Sequence, residues 1–271
     1  MRNITAFGAV AAAAFFALPL AAQDVPTIPG VTAPPMSAED LVTLPRLGAP
    51  AVNAAGTLAV YSVSITDPET LKRSPQHFLL DLTKAGAAPT AITLPIRASD
   101  LAFGADGALY FLSDEMPPNW VTRQEVWRSA VWRVTLSKDG TAAEPQLVIG
   151  RADADIAGFK LAPNGAAIAV WGEVARTCAT FGCADAKPQH LPGPGTGRLY
   201  DAKDGFVRHW DRWATPGTHN RIFTFPLKDG VAQGEGVPVD GRDPATGITA
   251  DSPTMPFGGA EEIAFTPDGK A

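Results

Sequence analysis

The chain has 271 residues, of which 45% are hydrophobic and 18% are charged, and its formal net charge is −6. The apolar fraction is that of a globular protein rather than a disordered one. The acidic balance argues against nucleic-acid binding, because phosphates are neutralised by an excess of Lys and Arg. Two cysteines are too few to hold a chain of this length together as a disulfide scaffold.

Residues 1–22 have the pattern of a secretory signal peptide. Arg2 is the only charged residue before Asp24, and residues 6–22 are apolar and end in alanines. This stretch is shorter than the roughly 20 apolar residues that span a bilayer comfortably, although an N-terminal membrane anchor stays open as an alternative. We therefore expect cleavage after Ala22 and a periplasmic or secreted protein without a membrane span.

Residues 23–48 are predicted to form a lead-in segment. Four prolines between positions 23 and 35 favour an extended chain. A short helical turn is expected over 37–44, because Ser37 and Asp40 have the spacing of a capping box and precede Leu41, Val42 and Leu44.

An internal repeat organises the rest of the chain. Each copy has a short apolar run, a turn that ends in glycine, and a second apolar run, and the copies lie at 49–64, 99–114, 157–172 and 261–271. The glycines are Gly56, Gly107, Gly165 and Gly269, and the last three follow Asp or Asn, which is a strong signal for a β-hairpin. A further strand with alternating polarity follows the first three copies, at 76–82, 130–136 and 220–227.

The repeat predicts an all-β fold, a partial β-propeller over 49–271, because a hairpin followed by further strands is the pattern of a propeller blade. Three complete blades and the first hairpin of another are expected. The interval from Gly165 to Gly269 is about twice the others, so we place a long insertion at about 173–219 in the third blade. Since propellers close with roughly four to eight blades, we expect the sequence to be a fragment.

The insertion contains both cysteines, Cys178 and Cys183. In an exported protein a local disulfide is the favoured interpretation, while a metal site with His190 or His209 and a pair of free thiols stay open. No cofactor and no metal are predicted. The tryptophans of the second blade, Trp120, Trp127 and Trp132, are expected to pack in the core.

The chain resembles the propeller part of the prolyl oligopeptidase family. The turn 266–269 is shared by many propellers, including the Tol-system propeller protein, but three stretches favour the peptidases: 36–64, 250–265 and the run Val-Arg-His-Trp-Asp-Arg-Trp at 207–213, which is followed by the strand at 220–225. These stretches are similar to the acylaminoacyl-peptidase and dipeptidyl-peptidase-5-like branch.

The resemblance implies a propeller that caps a C-terminal α/β-hydrolase domain with a Ser-Asp-His triad. No serine of this chain lies in a G-x-S-x-G motif, so no catalytic residue is assigned here. We expect the substrate-gating part of an exported serine peptidase that hydrolyses short peptides, of dipeptidyl or acylaminoacyl type, truncated before its catalytic domain and inactive alone. The alternative is a non-enzymatic periplasmic propeller that binds protein partners, as the Tol-system component does.

The candidate substrate-binding residues are Arg208, His209 and Asp211. On one alternating strand, Arg208 and Arg212 share one face, and His209 and Asp211 share the other. Charged groups presented to the active site would bind a peptide terminus through charge-assisted hydrogen bonds. The structural alternative is that Asp211 pairs with an arginine and the tryptophans pack between blades.

Overall fold

The structure is a computed structural model that describes residues 36–117, 129–151, 154–175, 178–183, 208–209, 212–213, 218–239, 251–255 and 257–271, with residues 208–209 and 212–213 described by their backbone only. The signal peptide and most of the lead-in segment fall outside these residues, so both stay predictions. The chain divides into two compact units, Met1–Leu41 and Val42–Ala271. Within the described ranges, no helix is long and apolar enough to cross a membrane.

The lead-in segment contains a short helix, α1 (Ala38–Thr43), which precedes the first strand of sheet I. The backbone N–H of Ser37 donates to Asp40 Oδ2 over 2.8 Å, and the backbone N–H of Asp40 donates to Ser37 Oγ over 3.0 Å. These reciprocal bonds satisfy N–H groups that a helix start leaves unpaired, and the predicted capping box is confirmed. The backbone hydrogen bond from Ser37 lowers the pKa of the Asp40 carboxyl group.

Three antiparallel sheets follow one another along the chain. In sheet I, two short strands pair with the same long strand and together form one edge; its members are β1 (Arg46–Leu47), β2 (Ala51–Val52), β3 (Leu58–Thr66), β4 (Arg73–Asp81) and β5 (Thr90–Ile92). Sheet II has four strands in chain order, β6 (Ser99–Phe103), β7 (Leu109–Ser113), β8 (Ala130–Val134) and β9 (Gln146–Gly150).

Sheet III has the same order but is interrupted by a long connection. Its members are β10 (Gly158–Leu161), β11 (Ala167–Ala175), β14 (Thr218–Lys228), β15 (Val231–Ala232) and β16 (Val237–Pro238). Between them in sequence, β12 (Arg208–His209) pairs with β13 (Arg212–Trp213). The all-β fold is confirmed, and the three sheets, each opening with a hairpin, match the three expected blades.

The fourth hairpin differs from its prediction. The expected turn is present, because Gly269 has a φ of +67° and its N–H donates to Thr266 O over 2.8 Å. The run before the turn is not a strand within 257–271, however: it begins with the 3-10 helix Ala260–Glu262 and continues with Ile263 in an extended conformation. A strand requires a ladder partner, and within the described part of the chain the recorded hydrogen bonds of Ala271 all return to Thr266.

Sheet II is buried on both faces, because one face packs on sheet I and the other packs on sheet III. Leu109 and Phe111 of β7 pack with residues of sheet I such as Val60, whereas Tyr110 packs with residues of sheet III such as Ile168. Successive side chains of a strand point to opposite faces, so this one strand contributes to two cores. Trp132 is fully buried between sheets I and II, as expected; Trp120 and Trp127 lie outside the described residues.

Candidate functional site

The longer connections all leave from one end of the sheets, which we call the loop end. They are 67–72 in sheet I, 114–129 in sheet II and 176–217 in sheet III. The opposite end, the turn end, carries the hairpin turns at 53–57, 104–107 and 162–165. Sheets II and III are aligned, because Ser129 Oγ donates to Ile156 O over 2.6 Å at the loop end, and Gly165 approaches the Ala105 side chain at the turn end. The loop end is therefore where the predicted site residues enter the fold.

The connection that carries those residues leaves and re-enters sheet III at one place. Strands β11 and β14 pair along their length, and Ala175 lies opposite Thr218. The two ends of the connection 176–217 are thus held one strand spacing apart, roughly 5 Å. Glu173 and Thr218 reinforce this position, since Thr218 Oγ1 donates to a Glu173 carboxylate oxygen.

Arg208 and His209 lie together on β12, and positions 212 and 213 belong to a separate strand, β13. Arg208 pairs with Trp213, and His209 pairs with Arg212, in a two-stranded antiparallel ribbon. The single alternating strand expected at 208–213 is therefore wrong, because 208–209 and 212–213 are two strands that pair with each other. Asp211 lies outside the described residues.

The start of the connection is fastened to sheet III by a disulfide loop. Cys178 and Cys183 are joined by a disulfide bond, and Phe181 between them is fully buried. The Phe181 ring lies 5.4 Å from that of Phe223 and 6.3 Å from that of Phe225, measured between centroids. Its backbone N–H donates to Glu235 O over 3.1 Å, so the loop is held by both its side chain and its main chain.

The end of the connection carries a buried amide. Asn220 donates its backbone N–H to Asp251 Oδ1 and its side-chain Nδ2 to Pro253 O, both over 2.8 Å. Its Oδ1 is buried without a hydrogen-bond partner in the part of the chain that the structure describes. Buried acceptors are rarely left unpaired, so Asn220 is a functional candidate that the sequence did not single out. Beside it, Arg221 donates to Cys178 O and stacks over Phe223.

An aspartate with a strained backbone lies at the loop end of β6, an edge strand of sheet II. Asp100 on β6 has a φ of +51°, within a bulge between Ser99 and Ala102. Non-glycine residues adopt this conformation at a cost, and such strain is concentrated at functional sites. Asp100 is exposed as a whole residue, but the protein around its carboxyl group partly excludes water. This desolvation raises the pKa of the Asp100 carboxyl group. The sequence gave no comparable signal, because Asp100 stands in an ordinary alternating run.

An arginine–aspartate ion pair and a serine–histidine hydrogen bond have structural roles. Arg97 forms a bidentate pair with Asp114, with both Asp114 oxygens 2.8 Å from Nη2, and the Asp114 carboxylate raises the pKa of Arg97. Ser62 Oγ lies 2.8 Å from His77 Nδ1 inside sheet I. His77 also bonds to the backbone of Ala98, so the pair connects the two strands to the segment just before sheet II. We assign this pair to packing.

The chain is similar in sequence to fungal peptidases. It is 27% identical over 227 residues to dipeptidyl-peptidase 5 of Aspergillus fumigatus, which covers 80% of this chain and 28% of that protein. It is 34% identical over 82 residues to the probable dipeptidyl-peptidase 5 of Aspergillus niger, covering 28% of this chain and 11% of that protein. These relatives confirm the resemblance that the motifs indicated. The chain spans less than a third of their length.

Among solved structures, an acylaminoacyl peptidase in complex with Z-Gly-Gly-Phe-chloromethyl ketone has a TM-score of 0.45 and 11% identity, covering 74% of this chain and 27% of that chain. No protein-family model matches the chain.

Proposed function

We propose that this chain, a propeller region like those of the prolyl oligopeptidase family, serves an exported serine peptidase that hydrolyses short peptides. The observation that carries the proposal is the similarity to dipeptidyl-peptidase 5 along 80% of the chain. A peptidase of this family attacks the peptide bond with an activated serine, and an acyl-enzyme is then hydrolysed. We assign those groups to the catalytic domain that the relatives' greater length accommodates.

In this proposal the loop end faces the substrate. It carries the long connection 176–217, the ribbon with Arg208 and His209, and the desolvated Asp100 carboxylate. It also carries the Asn220 amide oxygen, which has no hydrogen-bond partner among the described residues. Cationic and anionic side chains on such a surface would select the free termini of short peptides. The sheets around it would restrict access to peptides small enough to pass, which is the gating role.

The activity test uses the complete protein that contains this chain. We expect it to release p-nitroaniline from dipeptidyl or N-acetylaminoacyl p-nitroanilides and to lose activity when a fluorophosphonate labels its serine. The two substrate series decide between the dipeptidyl and acylaminoacyl types. A complete protein that neither hydrolyses these substrates nor takes up the label would overturn the proposal and favour the protein-binding alternative.

Export and the role of the ribbon have separate tests. N-terminal sequencing of the mature protein is expected to begin at Gln23, and an intact Met1 terminus would contradict the signal peptide.

For the ribbon, Arg208→Ala should raise KM for free peptides by about tenfold with kcat nearly unchanged, as expected when ground-state and transition-state binding are lost together. Lys138→Ala removes a positive charge at an exposed position at the turn end, between β8 and β9; it is the control and should leave KM unchanged.

A further inference from the structure

A cleft opens at the turn end, on the side of the sheets opposite to the candidate site. It has a volume of about 490 Å³ and lies between sheets II and III. Its apolar wall includes Leu161 and Leu227, and its polar groups include Tyr110, Arg133 and Asp229. A space of this size accommodates a ligand of a few residues at most, so the arrangement of these polar groups decides what it binds.

Arg133 is fixed in place by partners on two sides. Its Nη1 donates to Asp106 Oδ2 over 2.9 Å, and its Nε and Nη2 donate to Gln146 Oε1 over 3.1 and 2.9 Å. Its side chain is only 19% exposed. Guanidinium has five N–H groups; these bonds use three of them, and the Tyr110 hydroxyl group is a further partner of Arg133. A remaining N–H group can donate a charge-assisted hydrogen bond to the carboxylate of a ligand.

Asp229 supplies the opposite charge from the other wall. It lies in the turn after β14, with a φ of +53°, and it is exposed. Its carboxylate has no hydrogen bond or ion pair within the described residues, and it is not paired with Arg133. The next residue, Gly230, closes on the guanidinium so tightly that a Cβ there would overlap Arg133 Nη1. The turn therefore places a carboxylate on the wall of the cleft that also contains the fixed guanidinium.

We propose that this cleft binds a small zwitterion, a free amino acid or short peptide, with its carboxylate on Arg133 and its ammonium group on Asp229. A simple anion would meet the carboxylates of Asp106 and Asp229, and a simple cation would meet the guanidinium; a molecule with both charges satisfies both walls. Its side chain would lie against Leu161 and Leu227. The site is distinct from the loop end, and the inference does not depend on peptidase activity.

The test measures binding to the complete protein, inhibited with a fluorophosphonate, by titration calorimetry. The probes are Ala-Leu, its N-acetyl and C-amide derivatives, and free leucine. We expect Ala-Leu to bind and each capped form to bind at least about tenfold more weakly, because each cap removes one charge-assisted contact. If leucine binds as tightly as Ala-Leu, the ligand is a free amino acid; if it binds more weakly, the ligand is a peptide.

The variant Asp229→Asn separates this site from any other peptide site. Asn tolerates the left-handed backbone of position 229, so the turn is retained. The change should weaken Ala-Leu binding about tenfold and leave the N-acetyl form unaffected. Glu144→Gln removes the same charge at an exposed position outside the cleft and should have no effect. Absence of binding at millimolar concentration, equal affinity for the capped forms, or equal effects of both variants would each overturn the proposal.

Discussion

At the scale of single residues, His77 couples the charge of a side chain to the stability of the fold. It is buried in sheet I, opposite Ser62 on the neighbouring strand, and it bonds to the backbone of Ala98 just before sheet II. Burial disfavours the charged imidazolium and lowers the pKa of His77 below 6.5, although the bond to Ala98 acts in the opposite direction. The folded state therefore favours the neutral imidazole more strongly than the unfolded chain does.

We predict that stability falls as the solution becomes mildly acidic. Because the unfolded chain binds the proton more readily, the stabilisation is complete above the unfolded pKa of 6.5 and is lost as pH falls through the lower pKa of the folded state. Urea unfolding across this pH range measures it. His77→Gln should remove that part of the slope; an unchanged slope in the variant would contradict the assignment. Carboxyl groups such as Asp81, with a pKa of about 2, titrate below this range.

At the scale of elements, the disulfide loop 178–183 contributes a buried side chain to the core. The spacing of Cys178 and Cys183 pointed to a short closed loop, and loops of this length gain only modest stability from the bond itself. The structure adds Phe181, which the loop inserts against Phe223 and Phe225 of β14. The loop therefore contributes through apolar burial as well as through its covalent closure, and it sets where the long connection begins.

The variant Phe181→Ala should be strongly destabilised. Removing a fully buried phenylalanine side chain leaves a cavity and costs about 3–5 kcal/mol. Phe257→Ala makes the same deletion at a residue that is 65% exposed, and it should change stability by less than about 1 kcal/mol. Denaturant unfolding of both variants measures the difference. Similar losses at the two positions would mean that Phe181 is not part of the core.

At the scale of the whole Val42–Ala271 unit, each sheet is covered by the next. Sheet II is apolar on both faces because sheets I and III pack on it, and the terminal segment packs on sheet III in turn. Ile263 and Phe265 lie against Trp171 and Ile222. Lys160 Nζ donates to Ala260 O over 2.8 Å and also to Ile263 O. Apolar packing and the charged side chain of Lys160 on β10 therefore hold the segment together where a further strand was expected.

We predict that Lys160→Met loosens this terminal segment alone. The substitution keeps an apolar stem of similar length but removes two charged hydrogen bonds, each of which contributes about 1.5–3 kcal/mol. Hydrogen exchange at 260–269 should accelerate by at least about tenfold, while protection in sheet I stays unchanged. Lys228→Met, at an exposed position of β14, provides the control. Equal protection in wild type and Lys160→Met would show that apolar packing alone holds the segment.

The sequence determined by itself the features that depend on neighbours along the chain. The turns at Gly56, Gly107 and Gly165 and the capping box of Ser37 and Asp40 involve residues only a few positions apart, and alternation in the runs beside those turns indicated which strands pair in hairpins. These local signals were sufficient for three successive sheets, each opening with a hairpin, and for the all-β fold.

The tertiary structure decided what depends on residues far apart in sequence. The outer strands β5 and β16 are three and two residues long and pair with the longer strands β4 and β14, so composition did not mark them. The same reason applies to the terminal segment, where an alternating run without a ladder partner is not a strand. The cleft combines Arg133 of one sheet with Asp229 of the next. Hydrophobic patterning places a strand in a sheet, but only packing decides which side chains of two sheets meet.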